Sequence, residues 1–223
     1  MGCFRTCRAH QATAYTALLD ALRLEDPVIV MGVSAGGPSA IAFAALFPER
    51  TAALVLAEAE SQRAEQPETG DYPFFLKNDF LCWALFRSVE KFVGQAGVIA
   101  MMTADSKTQA LLSERPAQAR EFASLIWALW PLSQRLAGAR NDGAEFATME
   151  LPAADIRVPT FIIHGNADRN VPFAASEKLA ATIRGAVLHV VDGGDHWIPW
   201  THRDEVTGSI DAFLRGLDLL HSP

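Results

Sequence analysis

Basic clusters, cysteine pairs and long apolar runs are all scarce in this chain, and each shortage argues against a class of protein. Acidic residues outnumber basic ones by 26 to 19, and the net charge of −7 argues against a partner with a phosphate backbone, such as a nucleic acid. The three cysteines, Cys3, Cys7 and Cys82, are too few for a disulfide framework. No apolar run reaches the roughly 18 residues of a transmembrane helix, so no membrane span is expected.

The N-terminal residues lack an apolar segment of the length found in secretory leaders, so a secretory leader is not expected. Together with the cysteine usage, this predicts a reducing, cytoplasmic setting. What remains is an ordinary globular composition, with 223 residues of which 50% are hydrophobic and 20% charged. A chain of this size buries a sizeable core and is most simply one domain that carries an insertion.

The most informative motif is G-x-S-x-G at residues 32–36, with Ser34 at its centre. It follows the apolar run 28–31 and precedes a helical pattern that has Pro38 in its first turn. In such a strand–turn–helix setting the tight turn holds the central serine exposed, and small neighbours let the two backbones pass. Ser34 is therefore a candidate nucleophile, and the helix amides behind it are suited to stabilising negative charge. A simple turn serine in another α/β protein stays open as the alternative.

Four short apolar runs, separated by helical patterns, predict an α/β fold with a parallel sheet and flanking helices. The first run is apolar throughout, which is typical of a strand buried on both faces. The predicted strands are residues 28–31, 53–57, 160–163 and 187–191, and the helices that flank them are 10–24, the segment behind Pro38, 173–183 and 202–215.

The middle of the chain has a different pattern. Residues 72–150 contain no strand-like run, and their apolar and aromatic residues recur at helical spacing, with Trp83, Trp127 and Trp130 among them. We therefore predict a core made of residues 1–71 and 151–223, interrupted by a helical insertion over 72–150. Aromatic stripes at this spacing indicate packing between helices, with the lining of a substrate pocket as the alternative.

Three chemically suited side chains follow three of the predicted strands: Ser34, Asp168 and His196. Because ligands bind at the carboxyl ends of parallel strands, these groups are expected to meet there. An imidazole activates a serine hydroxyl by taking its proton, and a carboxylate fixes the tautomer of that imidazole. Glu58, after the second strand, and Asp195, beside His196, are the alternatives for the carboxylate.

No metal site is expected, although His189, Asp192, Asp195 and His196 lie close together in the sequence. Their spacing is not that of zinc ligands. His164, at the end of the third strand, is expected to have a structural role. Nucleophilic catalysis by a serine, an imidazole and a carboxylate needs no cofactor, and none is expected.

The order Ser…Asp…His and three stretches of sequence resemble the α/β-hydrolase superfamily, in particular its lid-bearing esterases and carbon–carbon bond hydrolases. The stretches are VIVMGVSAGGPSAIAFAALFPER, VPTFIIHGNADRNVP and LHVVDGGDHW. The resemblance implies that Ser34 is the nucleophile, Asp168 the acid of the triad and His196 the general base. It further implies that the backbone N–H of Ala35 is an oxyanion-hole donor and that residues 72–150 form a lid.

The leading prediction is a serine hydrolase that cleaves a small carboxylic ester or related acyl substrate through an acyl-Ser34 intermediate. A carbon–carbon bond hydrolase with a diketone-like substrate uses the same residues and is the alternative. A third possibility, from a different class, is a catalytically impaired remnant that acts as a binding module.

The chain departs from the family pattern at its start, since the family has further strands before the one that leads to the nucleophile. On that basis we expect an N-terminally truncated fold with strand 28–31 at an open edge, which favours a homodimer through that edge or a marginally stable chain. The second oxyanion-hole donor of the family comes from the same region, and losing one such donor costs on the order of 10²–10³ in rate.

Overall fold

The protein is described by a computed structural model that covers residues 3–63 and 74–220. The chain forms two compact units. One consists of Met1–Ala64 and Thr148–Pro223, and the other of Glu65–Ala147.

Four parallel strands form the sheet of the first unit, in the spatial order β1-β2-β3-β4. The strands are β1 (Val28–Val33), β2 (Thr51–Ala57), β3 (Thr160–Gly165) and β4 (Val187–Val191). The predicted parallel sheet is thus confirmed, and each predicted strand is found within three residues of its expected ends. All four strands present their carboxyl ends to the same edge of the sheet, where the candidate site residues lie.

The helices, in chain order, are α1 (Cys3–Ala21), α2 (Gly37–Leu46), α3 (Asp79–Phe92), α4 (Gln95–Met102), α5 (Ser106–Ser113), α6 (Pro116–Ala128), α7 (Leu132–Ala147), α8 (Phe173–Thr182), α9 (Ile198–Thr201) and α10 (Arg203–Gly216). Helices α3–α7 belong to the second unit, and the others belong to the first.

The sheet is covered on both faces by helices of the first unit. On one face, Leu54 and Ile162 pack with Ile41 of α2 and Leu179 of α8. On the other face, Val55 and Phe161 pack with Val206 and Leu214 of α10. Burying continuous apolar runs in this way stabilises the fold by about 1.5–3 kcal/mol for each large aliphatic side chain.

Strand β1 differs from the expectation that it would be buried on both faces. Its side chains alternate, and Ile29, Met31 and Val33 are 39%, 53% and 41% exposed. The physical reason is that β1 pairs with β2 alone in the described sheet, and Ile29 and Met31 line an open groove instead of packing in the core. The all-apolar sequence of the strand therefore did not predict its burial.

An apolar groove of about 360 Å³ lies between β1 and the helices next to it. Tyr15 and Leu18 of α1, Met31 of β1 and Phe43 of α2 are among the residues that line it. The side of α1 that carries Tyr15 and Leu18 thus faces an open groove, where the two side chains are 46% and 55% exposed. The predicted homodimer through this edge stays a prediction.

The second unit is entirely helical in its described residues and has a core of its own. Cys82, Phe86, Val98 and Ile126 form its buried cluster, and Trp127 and Trp130 pack against that cluster. Phe86, Trp127 and Trp130 therefore contribute to packing, as the spacing indicated, whereas Trp83 is 46% exposed and lies outside the cluster. No helix among residues 3–63 and 74–220 is long and apolar enough to cross a membrane.

Candidate active site

Ser34 lies in a sharp turn between β1 and α2. Its φ of +50° is in the left-handed region, which costs a residue with a side chain about 1–2 kcal/mol. A short 3-10 turn over Ser34–Gly36 leads into α2, which has Pro38 in its first turn. The carbonyl of Ser34 accepts a hydrogen bond from the Glu60 amide at 2.9 Å, so the strained turn is tied to the end of β2.

The two glycines of the motif differ in what surrounds them. A Cβ on Gly32 would lie 2.7 Å from Cβ of Ala40 and 3.1 Å from the Leu56 side chain, so a larger residue has no room there. A Cβ on Gly36 would meet nothing within 4 Å. The close approach expected on both sides of Ser34 is therefore found at Gly32, whereas on the helix side Gly37 packs against Ala59.

Ser34, His196 and Asp168 form a continuous chain of hydrogen bonds at the carboxyl edge of the sheet. Oγ of Ser34 lies 2.9 Å from Nε2 of His196, and Nδ1 of His196 lies 2.8 Å from Oδ2 of Asp168. A carboxylate only accepts, so the imidazole donates from Nδ1 and its Nε2 accepts the proton of the serine hydroxyl. This is the tautomer in which Nε2 is able to act as a base toward Ser34.

Asp168 is buried, and its other carboxylate oxygen is also satisfied. Oδ1 accepts hydrogen bonds from the amides of Asn170 at 2.7 Å and Val171 at 3.0 Å. Burial raises the pKa of Asp168, but the hydrogen bonds from His164 and His196 and the charge of His196 outweigh it, and the net pKa is well below the ordinary value. Asp168 is therefore ionised at neutral pH.

The loops that carry Asp168 and His196 are joined directly to each other. A Cβ on Gly165, at the end of β3, would overlap the backbone of Gly194, so the two loops approach more closely than side chains allow. The Ala167 amide donates to the Gly194 carbonyl at 2.9 Å. The amide of Gly193 donates to Oδ1 of Asn166 at 2.7 Å. This backbone contact sets the distance between the carboxylate and the imidazole.

The two alternative acids occupy other positions. Glu58 is almost fully buried, and its Oε1 accepts a hydrogen bond from the Ile198 amide at 3.2 Å. Burial, followed by the charge of Asp168, raises the pKa of Glu58 to about 9, so this carboxyl is neutral at pH 7. Asp195 accepts from the Trp197 amide at 2.9 Å within its own loop. Of the three carboxyl groups, that of Asp168 accepts the hydrogen bond from Nδ1 of His196.

Ala35 lies in the exposed turn between Ser34 and α2. Its backbone therefore belongs to the same turn as the candidate nucleophile. Its service as an oxyanion-hole donor stays a prediction.

A second histidine contacts the same carboxylate, and sequence reasoning missed it. Nε2 of His164 lies 3.1 Å from Oδ2 of Asp168, and Nδ1 of His164 lies 2.7 Å from Oγ of Ser176. One signal was available: a polar side chain at the end of a fully buried strand needs buried partners, and an aspartate follows four residues later. Ser176 lies within α8, and nothing in the helical pattern of that segment indicated a hydrogen bond to His164.

The residues considered for a metal site take part in separate contacts. Nε2 of His189 lies 3.1 Å from Glu205, and Asp192 accepts from the side-chain amide of Asn166 at 2.9 Å. In the described ranges, no three His, Cys, Asp or Glu side chains are grouped as they are around a metal ion.

Comparison with known proteins relates the chain to hydrolases that share one fold. Residues 3–203 match the profile described as alpha/beta hydrolase fold. A 2-hydroxy-6-oxononadienedioate/2-hydroxy-6-oxononatrienedioate hydrolase of Paraburkholderia xenovorans is 29% identical over 91% of this chain and 67% of its own length. A 2-hydroxymuconate semialdehyde hydrolase of Pseudomonas putida is 31% identical over 92% of this chain and 68% of its own length.

A solved structure that is similar to this chain also has the alpha/beta hydrolase fold. The alpha/beta hydrolase fold protein from Nakamurella multipartita is 29% identical and superposes with a TM-score of 0.76, over 96% of this chain and 75% of that protein. The chain thus spans about two thirds to three quarters of the length of the proteins it matches.

Proposed function

The chain belongs to the alpha/beta hydrolase fold family, and we propose that it hydrolyses a carbon–carbon bond. In this proposal the substrate is diketone-like and Ser34 is the nucleophile. The observation that carries this proposal is the hydrogen-bonded chain from Ser34 through His196 to Asp168, with distances of 2.9 and 2.8 Å. It has the geometry that activates a serine hydroxyl. The relatives named above, which are hydrolases of 2-hydroxy-6-oxo-dienoates and a semialdehyde, support the choice of substrate class.

In the first step, Nε2 of His196 takes the hydroxyl proton while Oγ of Ser34 attacks the carbonyl carbon of the substrate next to the bond that breaks. A tetrahedral oxyanion forms, and the Ala35 amide in the same turn is the proposed donor to it. The imidazolium that results is stabilised by ionised Asp168 at 2.8 Å.

In the second step, the tetrahedral intermediate collapses and the carbon–carbon bond breaks. The electron pair is delocalised into a carbonyl conjugated to the leaving carbon, and that carbon receives the proton held by His196. An acyl-Ser34 remains. Water then attacks the acyl group with His196 again acting as base, which releases a carboxylic acid and restores the serine.

Ester hydrolysis is the second candidate, and it was the leading prediction from the sequence. The same serine, imidazole and carboxylate form and hydrolyse an acyl-enzyme from an ester, with an alkoxide in place of the carbanion as the leaving group. The names of the relatives favour the carbon–carbon reaction over this one. We further propose that residues 72–150 serve as a lid. The support is that Glu65–Ala147 is a separate compact unit, and its described helices have a core of their own.

The two reactions are separated by one assay. Purified protein is supplied with 2-hydroxymuconate semialdehyde in one arm and with p-nitrophenyl acetate in the other, beside a Ser34→Ala variant. We expect loss of the absorbance of the conjugated semialdehyde, with release of formate, at a kcat/KM at least tenfold above that for the ester. Turnover of the ester alone would establish the second candidate, and turnover of neither by a folded chain would favour a binding module.

A further inference from the structure

Asp168 is held by more contacts than the proposed reaction uses. Its Oδ2 accepts from two imidazoles, His196 at 2.8 Å and His164 at 3.1 Å. His196 faces the nucleophile, whereas His164 and its partner Ser176 lie behind the carboxylate. The arrangement is a chain of five side chains in which two serine–histidine pairs flank one aspartate, as follows: Ser34, His196, Asp168, His164 and Ser176.

The inner pair is sealed from solvent. His164 and Ser176 both have 0% exposure, and the His164 ring packs edge-on against Phe173 with 5.8 Å between ring centroids. No substrate reaches this serine, so the inner pair does not provide a second nucleophile. Its contribution has to act through Asp168.

The tautomer of His164 follows from its partners. Nε2 faces two acceptors, Oδ2 of Asp168 and the carbonyl of Val171, each at 3.1 Å, so Nε2 carries the hydrogen. Nδ1 then accepts from the hydroxyl of Ser176 at 2.7 Å. The Asp168 carboxylate and the Val171 carbonyl thus fix the tautomer in which His164 donates from Nε2, and the Ser176 hydroxyl adds a hydrogen bond that holds the other side of the ring.

We propose that His164 is a positioning residue for the reaction, which orients Oδ2 of Asp168 and shares its negative charge with His196. This role rests on the proposed function of Ser34 and His196. Because the charge on Oδ2 is divided between two N–H donors, His196 receives only part of it. Removing the His164 donor leaves more of that charge to His196 and favours the protonated imidazole, whose Nε2 is unable to accept the serine proton.

The expected signature is therefore a change in pH dependence as well as in rate. Without the donor, the acid limb of the pH–rate profile moves upward by about 0.5–1 pH unit. The rate on the plateau falls roughly 10–100-fold, because Oδ2 loses one of its two imidazole donors and the imidazole of His196 is held less accurately. The other titratable groups near Asp168 and His196 are Glu58, Glu60 and Asp195, and none of the variants in the test alters these three residues.

The variants are chosen so that packing and hydrogen bonding are separated. His164→Leu fills the site without a donor, and His164→Gln places an amide N–H near the position of Nε2. Ser176→Ala keeps the imidazole but removes the hydroxyl that donates a hydrogen bond to its Nδ1. The matched control is His189→Leu, which removes a histidine from the neighbouring strand, where it pairs with Glu205.

The test measures the second-order rate constant for labelling of Ser34 by a fluorophosphonate from pH 5 to pH 9, which requires no knowledge of the natural substrate. We expect the shifted acid limb in His164→Leu, a smaller shift in Ser176→Ala, and a profile near wild type in His164→Gln and His189→Leu. Slower labelling of His164→Leu with an unshifted profile, or an equal shift in His164→Gln, would overturn the positioning role while leaving the proposed function intact. Wild-type protein that is folded but not labelled overturns the proposed function itself and the inference with it.

Discussion

Oγ of Ser34 lies 2.9 Å from Nε2 of His196, although 162 positions separate the two residues in the chain. The contact exists because both residues follow strands of one parallel sheet, and the carboxyl ends of such strands meet at one edge. The joined loops after β3 and β4 then bring Asp168 to the far side of the imidazole. The order of the strands in the sheet therefore determines which loops, and so which of these three side chains, come together.

The first prediction concerns the carboxylate. Asp168→Asn keeps the size of the side chain but lets the amide donate to Nδ1 of His196, which favours the tautomer with a hydrogen on Nε2. That nitrogen then no longer accepts the serine proton, and kcat is expected to fall by about 10³–10⁴. The measurement is steady-state kinetics with circular dichroism of each variant. A loss below tenfold would show that another group orients His196.

A second prediction uses the two glycines of the motif as a matched pair. Gly32→Ala places a methyl group 2.7 Å from Cβ of Ala40, and overpacking of this kind costs about 1–3 kcal/mol. Gly36→Ala places the same group in open space at a φ of −76°, which any residue adopts, so it is expected to change the free energy of unfolding by less than about 1 kcal/mol. Urea denaturation of both variants compares them, and equal losses would contradict the close packing inferred at Gly32.

A third prediction follows from the neutral carboxyl of Glu58. Burial and the charge of Asp168 raise its pKa from the ordinary 4.5 to about 9 in the folded chain. Between these values the folded state keeps a proton that the unfolded state releases. The contribution of Glu58 to stability is therefore complete below about pH 4.5 and is lost as pH rises toward about 9, by up to about 1.4 kcal/mol per pH unit.

Glu58→Gln retains an acceptor for the Ile198 amide but removes the titration. Its stability relative to wild type is expected to increase from pH 5 to pH 8.5, as measured by urea denaturation across that range. Glu114→Gln, at an exposed glutamate, is the control and should show a constant difference. A constant difference for Glu58→Gln as well would show that the carboxyl ionises normally in the folded chain.

A fourth prediction concerns β1, which pairs with β2 alone among the residues that the structure describes. Its exposed apolar side chains and the groove beside α1 favour pairing with a second copy of the chain. Met31→Lys is expected to lower the dimer fraction at least fivefold in light scattering coupled to size-exclusion chromatography. Val190→Lys, a similarly exposed site on the opposite edge strand β4, should leave the dimer fraction unchanged. A monomeric wild type over the whole concentration range would rule out the pairing.

The sequence predicted the elements because each apolar run is bounded by residues with clear turn chemistry, such as the Gly32–Gly36 motif and the segment after Gly165. It also indicated Ser34, Asp168 and His196, since each follows a strand. It did not predict the alternating exposure of β1, because burial depends on which neighbours cover a strand and not on its own residues. The His164–Ser176 pair was missed for a related reason: side-chain directions between a strand and a helix are set by tertiary packing.

Whether Ser34 is an activated nucleophile is decided by mass spectrometry of the intact chain after exposure to a fluorophosphonate. We expect one adduct per chain, located on Ser34, in the wild type, and none in folded Ser34→Ala. Equal labelling of both proteins, or none of a wild type that melts cooperatively, would contradict the assignment of Ser34 as the nucleophile.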